Sequence, residues 1–135
     1  MSVIKSQRPE SEMEFLATAR KLQAMTVHKC VNTIPKRYTF FVATRLSDSA
    51  AAVYENVKRG NSVYPTNAHE TQIRRDYFLR AYAELQSLAS QLELAHEIVK
   101  FEPKVMNEWS GLIFEEMRLV KAVLKKDKER YKNLN

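Results

Sequence analysis

The sequence predicts an all-α fold, an up-down-up-down antiparallel four-helix bundle, and two observations carry that prediction. The first is punctuation. The chain has only two glycines, Gly60 and Gly111, and four prolines, Pro9, Pro35, Pro65 and Pro103. Proline lacks an N–H and its ring strikes the preceding turn, so it sits ahead of a helix or in its first turn rather than inside one. Each of these prolines stands before a long stretch of helical periodicity. The second is that periodicity itself: apolar residues recur every three or four positions, the spacing of one helix face, and no segment alternates at period two for long enough to make a sheet.

Four helices follow, near 11–33, 36–59, 67–101 and 103–130. In the first, Phe15, Ala19, Leu22, Thr26 and Cys30 form a stripe with Leu16 beside it. The second offers Phe40, Ala43, Ser47, Ala50, Tyr54 and Val57. The third offers Ile73, Tyr77, Ala81, Leu85, Leu88, Leu92, Ala95 and Val99, and the fourth Met106, Trp109, Ile113, Met117, Val120 and Leu124. Asn67-x-x-Glu70 reads as a capping box opening the third helix. The first and last connections are short, and the middle one, 60–66, is of ordinary length, so consecutive helices run antiparallel. Residues 1–9 and 132–135 are expected to fray.

A chain of 135 residues fits one domain and can bury a full core without metals or disulfides. Its single cysteine, Cys30, cannot form an internal disulfide, which points to a reducing compartment. The start, Met1-Ser2-Val3-Ile4-Lys5, lacks the apolar run of a secretion signal, and no uncharged apolar stretch approaches the roughly 18 residues of a membrane span. A cytoplasmic, non-membrane protein is the expectation.

Catalytic patterns are scarce, and the chain reads as a non-enzyme without a cofactor. His28 lies two residues from Cys30, and positions i and i+2 on a helix point apart, so the pair does not make an activated thiol. Two glycines cannot build a phosphate-cradling loop. Glu93-Leu94-Ala95-His96 has the Glu-x-x-His spacing of di-iron carboxylate bundles, but those sites need a second such motif and two more glutamates. Neither His28 nor His69 has a carboxylate three residues before it. No metal site is expected.

Charge is more informative. The net charge is +6 at pH 7, which is compatible with a polyanionic partner. Residues 15–47 contain no acid and six cations: Arg20, Lys21, Lys29, Lys36, Arg37 and Arg45. Residues 118–135 carry seven cations against two acids, Asp127 and Glu129. Of these, Arg118, Lys121, Lys125, Lys128 and Lys132 step by three and four along the fourth helix and form a basic stripe beside its apolar one. A solvated face that complements the helix dipole explains Lys125 to Lys132 but not the acid-free stretch around the first turn. Phosphate contact needs only an array of Lys and Arg, and would be salt-sensitive and weakly sequence-specific. Tyr38 and Tyr131 are either base-stacking groups or helix-end tyrosines. Arg59, Arg74 and Arg80 read instead as within-helix partners of Glu55, of Glu70, and of Asp76 and Glu84.

The run Arg74-Arg75-Asp76-Tyr77-Phe78-Leu79-Arg80-Ala81, continuing through Glu84-Leu85-Gln86-Ser87-Leu88 and Ser90-Gln91-Leu92-Glu93-Leu94-Ala95, resembles the core signature of a bacterial four-helix-bundle superfamily. That superfamily includes proteins encoded in 23S rRNA intervening sequences and the accessory variability determinants of diversity-generating retroelements. The order and spacing of all four helices agree, so the resemblance covers nearly the whole chain. The segments Lys36-Arg37-Tyr38-Thr39-Phe40-Phe41 and Lys128-Glu129-Arg130-Tyr131-Lys132-Asn133 resemble one subgroup of it. The resemblance implies a basic, barrel-shaped homopentamer that binds nucleic acid, DNA or RNA, and a reverse transcriptase. Ala50-Ala51-Ala52 fits close approach by a second subunit as well as it fits simple helix propensity. The functional expectation is a non-catalytic nucleic-acid-binding accessory protein acting as a homo-oligomer. The alternative is a protein-interaction scaffold whose charges only keep it soluble.

Overall fold

The computed structural model describes residues 10–135, with side chains from residue 14 onward. Its four helices are α1 (Glu10–Thr33), α2 (Thr44–Ser62), α3 (Ala68–Val99) and α4 (Pro103–Arg130), and no strand occurs among the described residues. Each helix packs on its neighbour in the chain, and α4 closes the ring against α1. The bundle is the antiparallel one expected. The beginnings of α1 and α3 share a lower end with the finishes of α2 and α4, as Phe15 against Phe78 and Arg74 against Asp127 require. The expected fraying of residues 1–9 lies outside the described residues. Beyond Arg130 the chain keeps one turn, with Leu134 N–H donating to Tyr131 O at 3.3 Å.

The helix ends follow from local chemistry. Asn67 Oδ1 accepts the Glu70 N–H at 2.8 Å, the first half of the capping box. The second half reaches one residue further back: Glu70 Oε1 accepts from Thr66 N–H and Thr66 Oγ–H, each at 2.8 Å. Those bonds, the backbone one foremost, hold the Glu70 carboxyl below the usual range. At the other end of α3, Lys100 adopts φ 59, a left-handed cap that glycine usually supplies. His96 Nδ1 accepts the Phe101 N–H at 3.0 Å and its ring stacks on Phe101. Pro103 starts α4 in its first turn, where the missing N–H is harmless.

The core stripe of α1 is the expected one: Phe15, Ala19, Leu22, Thr26 and Cys30 are all buried. Buried Thr26 is explained by Trp109, whose Nε1–H donates to Thr26 Oγ at 3.1 Å. In α4, Trp109, Ile113, Val120 and Leu124 are buried, and Met106 and Met117 pack against the core from its margin.

Two stripes need correction. In α3 the first three turns bury Arg74 and Phe78 in place of Ile73 and Tyr77, and Val99 is only half-buried. Arg74 is no partner of Glu70. Its Nε donates to Asp127 Oδ2 at 2.6 Å, and its Nη1 donates to the carbonyls of Gly60 and Val63 at 3.3 and 3.1 Å. One guanidinium thus neutralises a buried carboxylate and closes the C-terminal end of α2. Arg80 lies over the Tyr77 ring, 5.5 Å from its centroid.

The larger correction is at the start of the second segment. The single helix expected over 36–59 is instead a 3₁₀ turn, Lys36–Tyr38, then a π turn, Thr39–Ala43, then α2. Thr44 donates both its N–H and its Oγ–H to Thr39 O, the five-residue step of a π turn. Four apolar residues in a row, Phe40-Phe41-Val42-Ala43, cannot all face one core. The core takes Val42, Ala43, Leu46, Ala50, Val53 and Val57. Phe40 is left 77% exposed and Phe41 73% exposed, while Ser47 and Tyr54 are half-buried at the stripe's edge. Burying a phenylalanine contributes about 1.5–3 kcal/mol, so this turn forgoes a substantial gain twice.

Among the described residues, one buried side chain has no hydrogen-bond partner. Glu116 on α4 is fully buried, and neither carboxyl oxygen has a hydrogen bond. Burial, reinforced by neighbouring Glu115, pushes its pKa up to about 9.

Candidate nucleic-acid interface

Of the eleven cations singled out by the sequence, ten are exposed and Lys29 is half-buried. Lys29 Nζ donates to Glu108 on α4 at 2.9 Å, which holds Glu108 below the usual carboxylate range. Arg118 pairs with Glu115, raising the arginine and lowering the carboxyl, and Lys132 pairs with Glu129. Such exposed pairs are weak, so these side chains can exchange partners readily.

The cations do not form one surface. Lys36, Arg37 and Arg45 sit at the upper end, around the link from α1 to α2. Lys125, Lys128 and Lys132 sit near the lower end, and the 28-residue α4 separates the two ends by roughly 40 Å at 1.5 Å per residue. Arg20 lines a groove of about 570 Å³ between α1 and α2, together with Ala24, Val27, Val31 and Tyr54.

Part of the basic stripe of α4, Lys121, Lys128 and Lys132, borders its seam with α3, whereas Arg118 faces Glu115 and, on α1, Glu14. Lys121 Nζ stands over the Tyr82 ring, 5.7 Å from its centroid. Lower down, Lys128, Lys132 and Tyr131 line a cleft of about 290 Å³ with Thr71 and Arg75 of α3. Its Asp127 is already neutralised by Arg74. Arg75 belongs to the packing run of α3 and carries no sign, in sequence, of a binding role. Only the pairing of α3 with α4 brings it to the stripe, and no local pattern announces it.

The tyrosines expected as stacking candidates are engaged. Tyr38 is half-buried against the core, with the Arg37 guanidinium 4.8 Å from its ring centroid. Tyr131 is covered by Arg74 at 5.8 Å and Arg130 at 5.9 Å. The most exposed of the described aromatic rings are those of Phe40 and Phe41, ahead of Tyr64 and Phe114, although helical periodicity directs Phe40 toward the core.

Cys30 lies buried, donating its thiol to Ala43 O at 3.7 Å and accepting from Ser47 Oγ at 3.8 Å, and burial pushes its pKa up. His28 is exposed on another face of α1. Glu93 is exposed and His96 is occupied at the α3 cap. Among the described residues, no three His, Cys, Asp or Glu side chains converge as metal ligands, and no helix is long and apolar enough to cross a membrane. No family model, curated protein or solved structure matches the chain.

Proposed function

We propose that this protein is a non-catalytic nucleic-acid-binding accessory protein that works as a homo-oligomer. The observation that supports this reading best is the α3–α4 seam. Lys121 and Lys128 stand exposed along it, and Arg75 joins Lys128 and Lys132 around one cleft. Arrayed cations at helical spacing suit phosphates, and they carry no base-reading geometry. Binding is therefore electrostatic and tolerant of sequence.

The test is a salt titration of binding to mixed DNA and RNA fragments, with the oligomer mass fixed beforehand by light scattering. The logarithm of affinity should fall linearly with the logarithm of salt. Lys121→Glu with Lys125→Glu should weaken binding across all sequences and flatten that slope by about one for each phosphate left without its cation. Failure to bind at low salt would overturn the reading.

A scaffold without nucleic-acid binding is the second reading, and a specific observation favours it. Val27 and Val31, 45% and 76% exposed, line the open α1–α2 groove, and Leu94, Ile98 and Phe114 are exposed elsewhere. Apolar faces of this kind suit protein contacts, including contacts between copies. A chain that ignores nucleic acid yet retains a protein partner in a pull-down would establish it. A reverse transcriptase, the partner implied by the superfamily resemblance, is the first candidate to add.

A further inference from the structure

The upper end of the bundle combines two features that packing does not require. Phe40 and Phe41 project from the π turn with their rings edge to face, centroids 5.3 Å apart and planes at 84°. Exposed Lys36 and Arg37 precede them, and exposed Arg45 follows one turn after Phe41. No carboxylate occurs in residues 15–47; the next acid is exposed Asp48, one turn beyond Thr44. The turn itself is anchored, because Val42, Ala43 and Leu46 are buried and Thr44 bonds back to Thr39. The two rings are thus held outward on a fixed support.

The geometry points to a stacking platform for single-stranded nucleic acid at this end, with unpaired bases on Phe40 and Phe41 and their phosphates on Lys36, Arg37 and Arg45. This rests on the nucleic-acid reading above and narrows it to a substrate class. Every base has a π face, so aromatic stacking beside cations is a sequence-tolerant way to hold a single strand. In a duplex those faces are already covered by neighbouring base pairs. A duplex therefore meets only the cations, along the α3–α4 seam or at this end, and gains nothing from the phenylalanines. A purely apolar partner would use the rings but would leave three cations without a role.

Fluorescence polarisation with a labelled oligothymidine and a duplex of equal length, at one low salt concentration, separates the possibilities. Phe40→Ala with Phe41→Ala should lower single-strand affinity by about tenfold or more, given what stacking contributes per base, and leave duplex affinity unchanged. Phe40→Trp with Phe41→Trp should keep single-strand binding, and Phe40→Leu with Phe41→Leu should lose it, since leucine is apolar but has no π face. All three pairs alter exposed side chains, and unchanged thermal melting shows that each is folded. Unchanged oligothymidine affinity in the alanine pair overturns the platform while leaving the nucleic-acid reading intact. Wild-type protein that binds neither probe overturns both. Leucine and alanine pairs that differ, with leucine behaving as wild type, overturn stacking in favour of greasy contact. Binding of the wild type to phosphatidylserine vesicles in preference to oligothymidine, or a changed solution mass in the alanine pair, would reassign the rings to a membrane surface or to an interface between copies.

Discussion

Replacing Glu116 should make this protein considerably more stable, and by an amount that depends on pH. Glu116 is fully buried in α4 with both carboxyl oxygens unpartnered. Burial raises its pKa from an ordinary 4.5 to about 9. Between those values the folded chain holds a proton that the unfolded chain releases. Wild-type stability is therefore greatest below pH 4.5 as far as this group is concerned, and falls as pH rises toward 9. At pH 7 the interval is about two and a half pH units, which at 1.36 kcal/mol each makes about 3 kcal/mol of destabilisation. Methionine fills a similar volume without the carboxyl, so Glu116→Met removes that term, and the unpaired polar burial as well. A gain of about 3 kcal/mol or more is a large fraction of the roughly 5–15 kcal/mol typical of a domain, and corresponds to a rise in Tm on the order of 10 °C. Urea unfolding of both proteins at pH 4, 7 and 9 checks this. The gap should be smallest at pH 4 and widen through pH 7 to pH 9. A gap that does not change with pH, or a variant less stable at pH 7, would refute the reasoning.

The glycines make opposite predictions. Gly111 lies exposed within α4, and a Cβ there meets nothing within 4 Å, so Gly111→Ala should stabilise by about 1 kcal/mol in denaturant titration. A Cβ on Gly60 would stand 3.0 Å from the Phe78 ring, so Gly60→Ala should destabilise by about 1–3 kcal/mol by overpacking in the same assay. Asp127→Ala should cost about 3–5 kcal/mol, because it leaves the Arg74 guanidinium buried and uncompensated; a loss below about 1 kcal/mol would mean that the carbonyls of Gly60 and Val63 suffice. Lys100→Gly should raise the melting temperature modestly, since the left-handed cap costs a side-chain-bearing residue about 1 kcal/mol relative to glycine.

How much of this was legible depends on whether the determinant is local. The whole stripe of α1 and most of α4 could be read because an unbroken α period and apolar side chains coincide there. The beginning of α3 could not, because the residue that enters the core is an arginine. Its burial is made possible by Asp127, 53 positions away, and no window on α3 contains that information. Glu116 was hidden for the same reason: a carboxylate on a helix reads as solvent-facing, and only the closed ring of four helices shows otherwise. On the candidate interface, the identity of the exposed cations was legible from charge alone. Their separation between two ends, and the arrival of Arg75 beside Lys128, required the packing of one helix on another.

The π turn shows why the remaining error mattered. A regular helix over Phe40 and onward assigns Phe40, Ala43 and Ser47 to one face, and this reading is self-consistent. Widening one turn instead brings Val42 and Leu46 inward and leaves two aromatic rings outside. Helices accommodate a π turn at some loss of hydrogen-bond geometry, and such turns occur often at functional sites. The lower end of the bundle offers a contrast, since there Arg74, Asp127 and the carbonyls of Gly60 and Val63 satisfy one another in a closed network. The upper end turns two adjacent phenylalanine rings toward solvent, where the lower end opens a cleft lined largely by polar and charged side chains. Because the flanking anchors Val42, Ala43 and Leu46 stay buried, that exposure is a property of the folded backbone itself. It is this rigidity, more than the presence of phenylalanine in the sequence, that makes the upper end a candidate for recognition.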